Sequence, residues 1–313
     1  MSLELVETDA APQTIEITPL ALTIGAEIGG VDLTRPLPEA QVKEIWAAFL
    51  KWKVVFFRDQ HLDHAQHVAF SRQFGEMTPA HAVYGGTDAE FPEIYTVDRD
   101  RTNKRYAGDF LYTPWFGWHT DVTPAINPPA ASILRGDVMP PYGGDTQWAD
   151  MAAAYAALSP TMRDFIDGLR GIHLYSANAG TNTRKEYRDQ VEKNRIISEH
   201  PLVRVHPETG DRVLYVSPSF LQSIVGLTPT ESTALLAMLK EHAARPEFAV
   251  RFKWEDGSIA MWDNRSTTHL GPKDIINSQF PREIHRTTLM GDVPVGVDGR
   301  KSIAIEGDPI RPV

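Results

Sequence analysis

Short stretches of strand-type sequence, separated by turn residues, recur along most of this chain and restrict it to a fold of paired sheets. Thr14-Ile15-Glu16-Ile17-Thr18-Pro19-Leu20 alternates apolar with polar residues, and residues 24–33 resume the alternation around glycines that suggest turns or a bulge. Val54-Val55-Phe56-Phe57 is unbroken apolar sequence, which suits a strand covered on both faces. Residues 202–205 and 213–216 flank Pro207-Glu208-Thr209-Gly210-Asp211, a hairpin signature, and residues 248–254 and 259–262 flank Glu255-Asp256-Gly257, read as a second hairpin. A last strand over 282–289 precedes a polar tail after Asp292. Helical spacing is confined to residues 38–51, a segment opened by Asp63, residues 152–158 and 162–169, and residues 228–244, where Thr228 and Glu231 stand at capping-box spacing. The expectation is a mainly β protein with flanking helices: a double-stranded β-helix, or cupin-like jelly roll. One catalytic domain would span 1–313, with 1–13 and 296–313 as peripheral tails and 85–117 and 175–198 as candidate lid loops.

Composition excludes several classes of function. A formal charge of −10 over 313 residues argues against nucleic acid or an anionic membrane as partner, since both need a cationic footprint. An anionic ligand must then be met by locally placed arginines. The chain has no cysteine, which rules out disulfides, thiolate zinc sites, iron–sulfur clusters and thiol nucleophiles, and is compatible with the expected cytoplasmic location. Residues 1–13 carry acidic side chains and no apolar run behind positive charge, so no secretory signal is expected there, and no stretch has the length of a membrane helix.

The clearest chemistry lies in Trp118-His119-Thr120-Asp121. If these residues form a strand, His119 and Asp121 leave the same face and converge on one point. A third ligand from a distant strand would complete a 2-His-1-carboxylate triad, which holds Fe(II) on one side and leaves positions open. His269, 148 positions beyond Asp121 in the segment that begins Trp262-Asp263-Asn264-Arg265, is the candidate. The tripeptide alone also describes an ordinary hydrogen-bonded core histidine. Arg282 and Arg286, four apart on the last strand, would share a face; they are either surface arginines or a buried pair that needs anions. Beside a metal site such a pair suits capture of carboxylate or sulfonate groups. His61, His64 and His67, spaced by three, look like a metal cluster. With Asp63 as N-cap, however, His64 and His67 fall on the first turns of a solvated helix. The glycines of residues 24–33 are spaced G-x-x-x-G-G, which is not the dinucleotide fingerprint.

Six segments in fixed order carry a resemblance: residues 24–33, residues 54–60, Trp118-His119-Thr120-Asp121, Gly143-Gly144-Asp145-Thr146, Trp262-Asp263-Asn264-Arg265 and His285-Arg286-Thr287-Thr288. From about residue 15 to 292 the chain resembles the iron(II)/2-oxoglutarate-dependent taurine dioxygenase family, which also includes alkylsulfatases and phenoxyalkanoate dioxygenases. The resemblance implies a catalytic metal held by His119, Asp121 and His269, with Fe(II), 2-oxoglutarate and O2 as cofactor and co-substrates. It implies Thr146 and Arg282 on the distal carboxylate of 2-oxoglutarate, and Arg286 near the metal, facing both cofactor and the anionic head of the substrate. His81, Tyr84 and the backbone N–H of Val122 would bind substrate, and Trp115 stands where the taurine enzyme has an asparagine at the amine end of its pocket. The segment Tyr112-Thr113-Pro114-Trp115-Phe116-Gly117 is aromatic, and an apolar wall favours an organic tail over a small zwitterion. The implied reaction is hydroxylation of a small anionic organic substrate, an organosulfonate or alkyl sulfate larger than taurine. It would release sulfite or sulfate and an aldehyde, with succinate and carbon dioxide as co-products. A carboxylate substrate such as a phenoxyalkanoate is the alternative. A zinc hydrolase and a non-enzymatic jelly-roll binding module are more remote ones, since neither needs Thr146, Arg282 and Arg286 together. The resemblance also implies a homo-oligomer, dimer or tetramer.

Overall fold

The computed structural model of the chain describes residues 14–81, 90–98, 117–175, 185–271, 274–275 and 278–313. Two facing sheets form the double-stranded β-helix. The larger runs, edge to edge, through Glu16–Pro19, Ala26–Gly29, Val54–Phe57, Ile259–Asp263, Ala131–Val138, Glu283–Leu289 and Tyr95–Asp98. All its pairings are antiparallel except that between Ala26–Gly29 and Val54–Phe57. The smaller runs through Ala249–Phe252, Thr146–Asp150, Thr267–Leu270 and Trp118–His119.

The apolar run at 54–57 is unbroken because both of its faces are covered. Val54 and Phe56 point between the sheets, into a core with Trp148, Phe252 and Trp262, where Phe56 and Phe252 stack at 4.1 Å. Val55 and Phe57 point outward beneath the helix Glu39–Trp52, whose Ile45 and Phe49 join the same outer cluster. A third cluster lies under the helices Met151–Ala156, Pro160–Ile166 and Pro229–Ala243. Ser159 caps the second of these with Pro160 at its first turn, and Thr228 with Glu231 closes a capping box on the third.

Five expectations need correction. Residues 248–254 and 259–262 are not a hairpin: Ala249–Phe252 pairs with Thr146–Asp150 in the small sheet, while Ile259–Asp263 pairs with Val54–Phe57 and Ala131–Val138 in the large one. The Glu255-Asp256-Gly257 turn therefore carries the chain from one sheet to the other. The first candidate lid contains a strand, Tyr95–Asp98, on the edge of the large sheet, and the second contains the helix Lys185–Lys193 and the start of the strand Ile197–Pro201. The polar tail is not peripheral. Ile303–Glu306 adds to a four-stranded sheet beside Ile197–Pro201, and Ile310 is buried against Val122 and Ala125, with Asn127 bonding its backbone twice. Finally, the helix His64–Arg72 is capped by Asp63 as expected, but His67 is buried beneath it, near Thr287, and not solvated. Desolvation, with help from Arg135 and His285, lowers its pKa to about 3, so the ring is neutral.

Candidate functional site

His119, Asp121 and His269 each present a ligand atom within 4.8 Å of the others, and no other such group of metal-ligating side chains occurs among the described residues. The small sheet brings the histidines together: His119 and His269 are direct cross-strand partners, with ring centroids 4.2 Å apart. His119 Nδ1 donates to Gly117 O at 2.9 Å, which puts the ring's lone pair on Nε2, 3.9 Å from Asp121 Oδ1.

Asp121 arrives by a different route from the one its spacing suggests. The strand stops at His119, and Asp121 stands in the turn that follows, so the two do not share a strand face. Val122 adopts φ 51°, a left-handed conformation that strains a β-branched residue. Ala125 N–H closes the turn on Val122 O. Thr120 stitches the turn to its surroundings: its backbone N–H donates to Ser217 Oγ at 3.1 Å, and its Oγ1 donates to Thr267 O at 2.8 Å. Burial alone would raise the Asp121 carboxyl. The Arg286 guanidinium, both histidines and a hydrogen bond from Ser132 together hold it well below the usual carboxylate range.

Arg286 donates to Asp121 Oδ1 at 2.5 Å, and its guanidinium lies 5.4 Å from the centroid of the Tyr95 ring. Arg282 does not share that strand face by simple alternation. The strand begins at Glu283 and its register slips between Glu283 and Ile284, so the two arginines are not on one unbroken pleat. Arg282 is nevertheless buried, 7% exposed, and its Nε has no hydrogen-bond partner among the described residues. Burial pushes its guanidinium down to about 10, against the pull of Asp274, so it remains charged at neutral pH.

A buried cation with an unused donor fits an incoming carboxylate. Gly143 and Gly144, both at φ 76°, shape the wall beside it: a Cβ on Gly144 would stand 3.5 Å from Arg282 Nε. Thr146, two residues on, accepts from Trp254 Nε1 at 2.9 Å, which directs its own hydroxyl proton elsewhere. The donor set at 119, 121 and 269 likewise fits a divalent ion with one face left open.

His81 is buried and sits in a ring of aromatics that sequence reasoning mostly missed. Its ring lies 5.2 Å from Tyr95 and 6.5 Å from Tyr175, Tyr175 lies 4.9 Å from Phe220, and Phe220 meets His119 edge-on at 6.1 Å. Tyr95, Tyr175 and Phe220 come from three separate segments with no shared motif, so no local signal announces them. Tyr84 and Trp115 lie outside the described residues. Among the described residues no helix is long and apolar enough to cross a membrane.

The model of the taurine catabolism dioxygenase TauD, TfdA family matches residues 16–288. An alpha-ketoglutarate-dependent sulfate ester dioxygenase of Pseudomonas putida is 38% identical over 304 residues, covering 93% of this chain and 95% of that protein. An alkylsulfatase of Acinetobacter baylyi is 33% identical over 297 residues, covering 92% and 89%. A crystal structure of a taurine dioxygenase from Burkholderia xenovorans superimposes with a TM-score of 0.83 at 57% identity, covering 95% of this chain and 96% of that one.

Proposed function

We propose, for a chain that belongs to the TauD, TfdA family of dioxygenases, that it oxidises an organic sulfate ester or sulfonate whose carbon tail is larger than that of taurine. The observation that carries this is the convergence of His119 with the buried Asp121 and His269 in a family that uses Fe(II), 2-oxoglutarate and O2. When bound, the ferrous ion and 2-oxoglutarate supply dioxygen activation, and a substrate C–H bond is hydroxylated as 2-oxoglutarate becomes succinate and carbon dioxide.

In this reading the protein's work is placement and exclusion of water. His119, Asp121 and His269 hold the ion from one side. Arg282 and the Thr146 hydroxyl hold the distal carboxylate of 2-oxoglutarate, which fixes the end that must reach the metal. Arg286, held beside Asp121, and His81 face the substrate's anionic head, with the Val122 N–H as a further donor at the strained turn. Tyr95, Tyr175 and Phe220 wall the opening with apolar surface that an organic tail can cover. Hydroxylation at the carbon next to the ester oxygen leaves a hemiacetal sulfate, which expels sulfate and becomes an aldehyde. The relatives that act on sulfate esters favour that substrate class, and the negative overall charge leaves recognition to these few local cations. The same reading takes residues 1–313 as one catalytic domain in a homo-oligomer, to be checked by limited proteolysis and by light scattering after gel filtration.

The test is anaerobic addition of Fe(II) and 2-oxoglutarate, followed through the visible charge-transfer band of the chelate. Alkyl sulfates, sulfonates including taurine, and phenoxyalkanoates are then titrated in. The band is expected to form and to shift most with alkyl sulfates or longer sulfonates. Equal turnover of taurine and longer substrates refutes the preference for a larger tail, and a shift with phenoxyalkanoates alone moves the assignment to carboxylates. Absence of the band, with His119→Ala behaving like the parent, refutes the metal site.

A further inference from the structure

The segment Trp262-Asp263-Asn264-Arg265 contributes no ligand, yet it lies against one. Trp262 pairs with Ser132 across the large sheet, and the residue after Asp263 leaves the strand with its backbone N–H on Ala130 O. Asp263 is fully engaged by His206 and by Arg265, so it does not compete for the donors around Asn264. From Trp262 a file of hydrogen bonds runs inward. Trp262 Nε1 donates to Asn264 Oδ1 at 3.0 Å, Asn264 Nδ2 donates to Ser132 Oγ at 2.9 Å, and Ser132 Oγ donates to Asp121 Oδ2 at 2.6 Å. All four residues are at most 3% exposed, so no solvent competes.

The direction of this file is set at its outer end. An indole N–H can only donate, which turns the oxygen of the Asn264 amide toward Trp262 and its NH2 toward Ser132. Ser132 Oγ, already receiving a proton, has its own single proton left for Asp121. The carboxylate oxygen Oδ2 is thereby committed to Ser132, and Oδ1, the atom nearest His119 and Arg286, is the one presented inward. An aspartate on a turn, rather than on a strand, needs such a brace, because the sheet does not fix its side chain.

We propose that Asn264 and Ser132 are positioning residues that select which oxygen of Asp121 meets the metal. The indole of Trp262 acts as the lock on their polarity. The proposal rests on the reading of Asp121 as a metal ligand. Outer partners of ligating side chains are conspicuous in their effect: losing one costs about 10- to 100-fold in metal affinity.

The experiment is anaerobic titration of the full chain with Fe(II) alone, for the parent, Ser132→Ala, Asn264→Leu, the double variant and Asp121→Ala, with thermal unfolding of each recorded without metal. Ser132→Ala is expected to weaken Fe(II) about 10- to 100-fold. Asn264→Leu keeps the shape of the amide but neither accepts nor donates, and, acting one hydrogen bond further from the ligand, is expected to weaken Fe(II) measurably but less than Ser132→Ala does. The discriminating result is the double variant. Without the Ser132 hydroxyl there is nothing for Asn264 to orient, so adding Asn264→Leu to Ser132→Ala should leave Fe(II) affinity unchanged. Should Asn264→Leu not fold, Trp262→Phe keeps a ring in place and withdraws only the lock, with the same expectation.

A purely structural role predicts lower unfolding temperatures with Fe(II) affinity within twofold of the parent. That result in Ser132→Ala overturns the proposal. So does an Asn264→Leu effect that is absent in the parent background or persists undiminished beside Ser132→Ala. If Asp121→Ala itself binds Fe(II) like the parent, the failure belongs to the metal-site reading, and the relay falls with it.

Discussion

Replacing Arg282 by methionine separates the cost of burying a cation from its use. The side chain is 7% exposed, its Nε has no partner among the described residues, and the carboxylate acting on it, Asp274, is itself exposed. In the absence of 2-oxoglutarate the guanidinium is therefore desolvated with little return, and Arg282→Met, which keeps an unbranched apolar stem and removes the charged end, should leave the unfolding temperature unchanged or raise it. Water takes up the demands of Asp274 at no great cost. With 2-oxoglutarate bound the sign reverses, because the distal carboxylate then lies in the same dry wall beside Gly144 without its counter-charge. Removing one partner of a buried, hydrogen-bonded charge pair costs about 2–5 kcal/mol. At about 1.4 kcal/mol per decade that is roughly 30- to 4000-fold in the dissociation constant of 2-oxoglutarate. Calorimetric titration of 2-oxoglutarate into the metal-loaded protein reads the loss, and differential scanning fluorimetry of the metal-free protein reads the stability. A dissociation constant within threefold of the parent would falsify the placement of the co-substrate carboxylate. An unfolding temperature lowered by more than about 5 °C, equivalent to some 3 kcal/mol in a chain this long, would instead give Arg282 a structural role.

Other expectations bear on stability and selectivity. His67 and His200 have folded-state pKa values lowered from 6.5 to about 3, chiefly by burial, so unfolding lets each take up a proton below 6.5. Their contribution to stability is complete above pH 6.5 and declines as the pH falls toward 3, by about 1.4 kcal/mol per unit for each histidine once well below 6.5. Urea midpoints measured from pH 7.5 to 4.5 should show this limb, and His67→Gln or His200→Gln should flatten it; an unaltered slope in both contradicts the assignment. Gly291→Ala should fail to give soluble protein, since its Cβ would lie 1.7 Å from the backbone oxygen of Pro128, and a folded variant with parental unfolding temperature would show that backbone to be displaceable. Phe220→Ala and Tyr175→Ala should raise KM for long-chain sulfates more than for short ones; a uniform rise in KM across chain lengths would mean that these rings do not meet the tail.

How far the sequence was legible depended on whether the relevant signal was local. The N-cap at Asp63, the capping box at Thr228, the helix cap at Ser159 and the both-sides-buried run at 54–57 are each written within a few residues, and each lies in the structure where the local pattern places it. Glu255-Asp256-Gly257 was misread because a turn motif specifies a change of direction and not the strand that will be met afterwards; here it leads across the core to the other sheet. Tyr95–Asp98 escaped notice because four residues on a sheet edge carry too short an alternation to stand out from loop. His67 deceived in another way: its spacing placed it correctly on the helix, but which face that helix buries was decided by Thr287 and Arg135, far along the chain. At the site, His119, Asp121 and His269 were legible as a set, whereas the reason that His119 and Asp121 converge was not. A positive φ at Val122 has no sequence marker in a β-branched residue.

The strand order of the large sheet has consequences for how the chain reaches this state. Val54–Phe57, four consecutive uncharged apolar residues, has Ile259–Asp263 as its antiparallel neighbour, roughly two hundred positions later, and His119 waits nearly as long for the strand that bears His269. Contacts of such separation close slowly, and until they do a sticky, strand-forming segment has an unsatisfied edge. Self-association during refolding is therefore expected to begin at residues 54–57, to depend steeply on protein concentration, and to be relieved by slow, dilute, cool conditions rather than by added iron, because the metal has no assembled pocket to enter until both ends of the molecule have met.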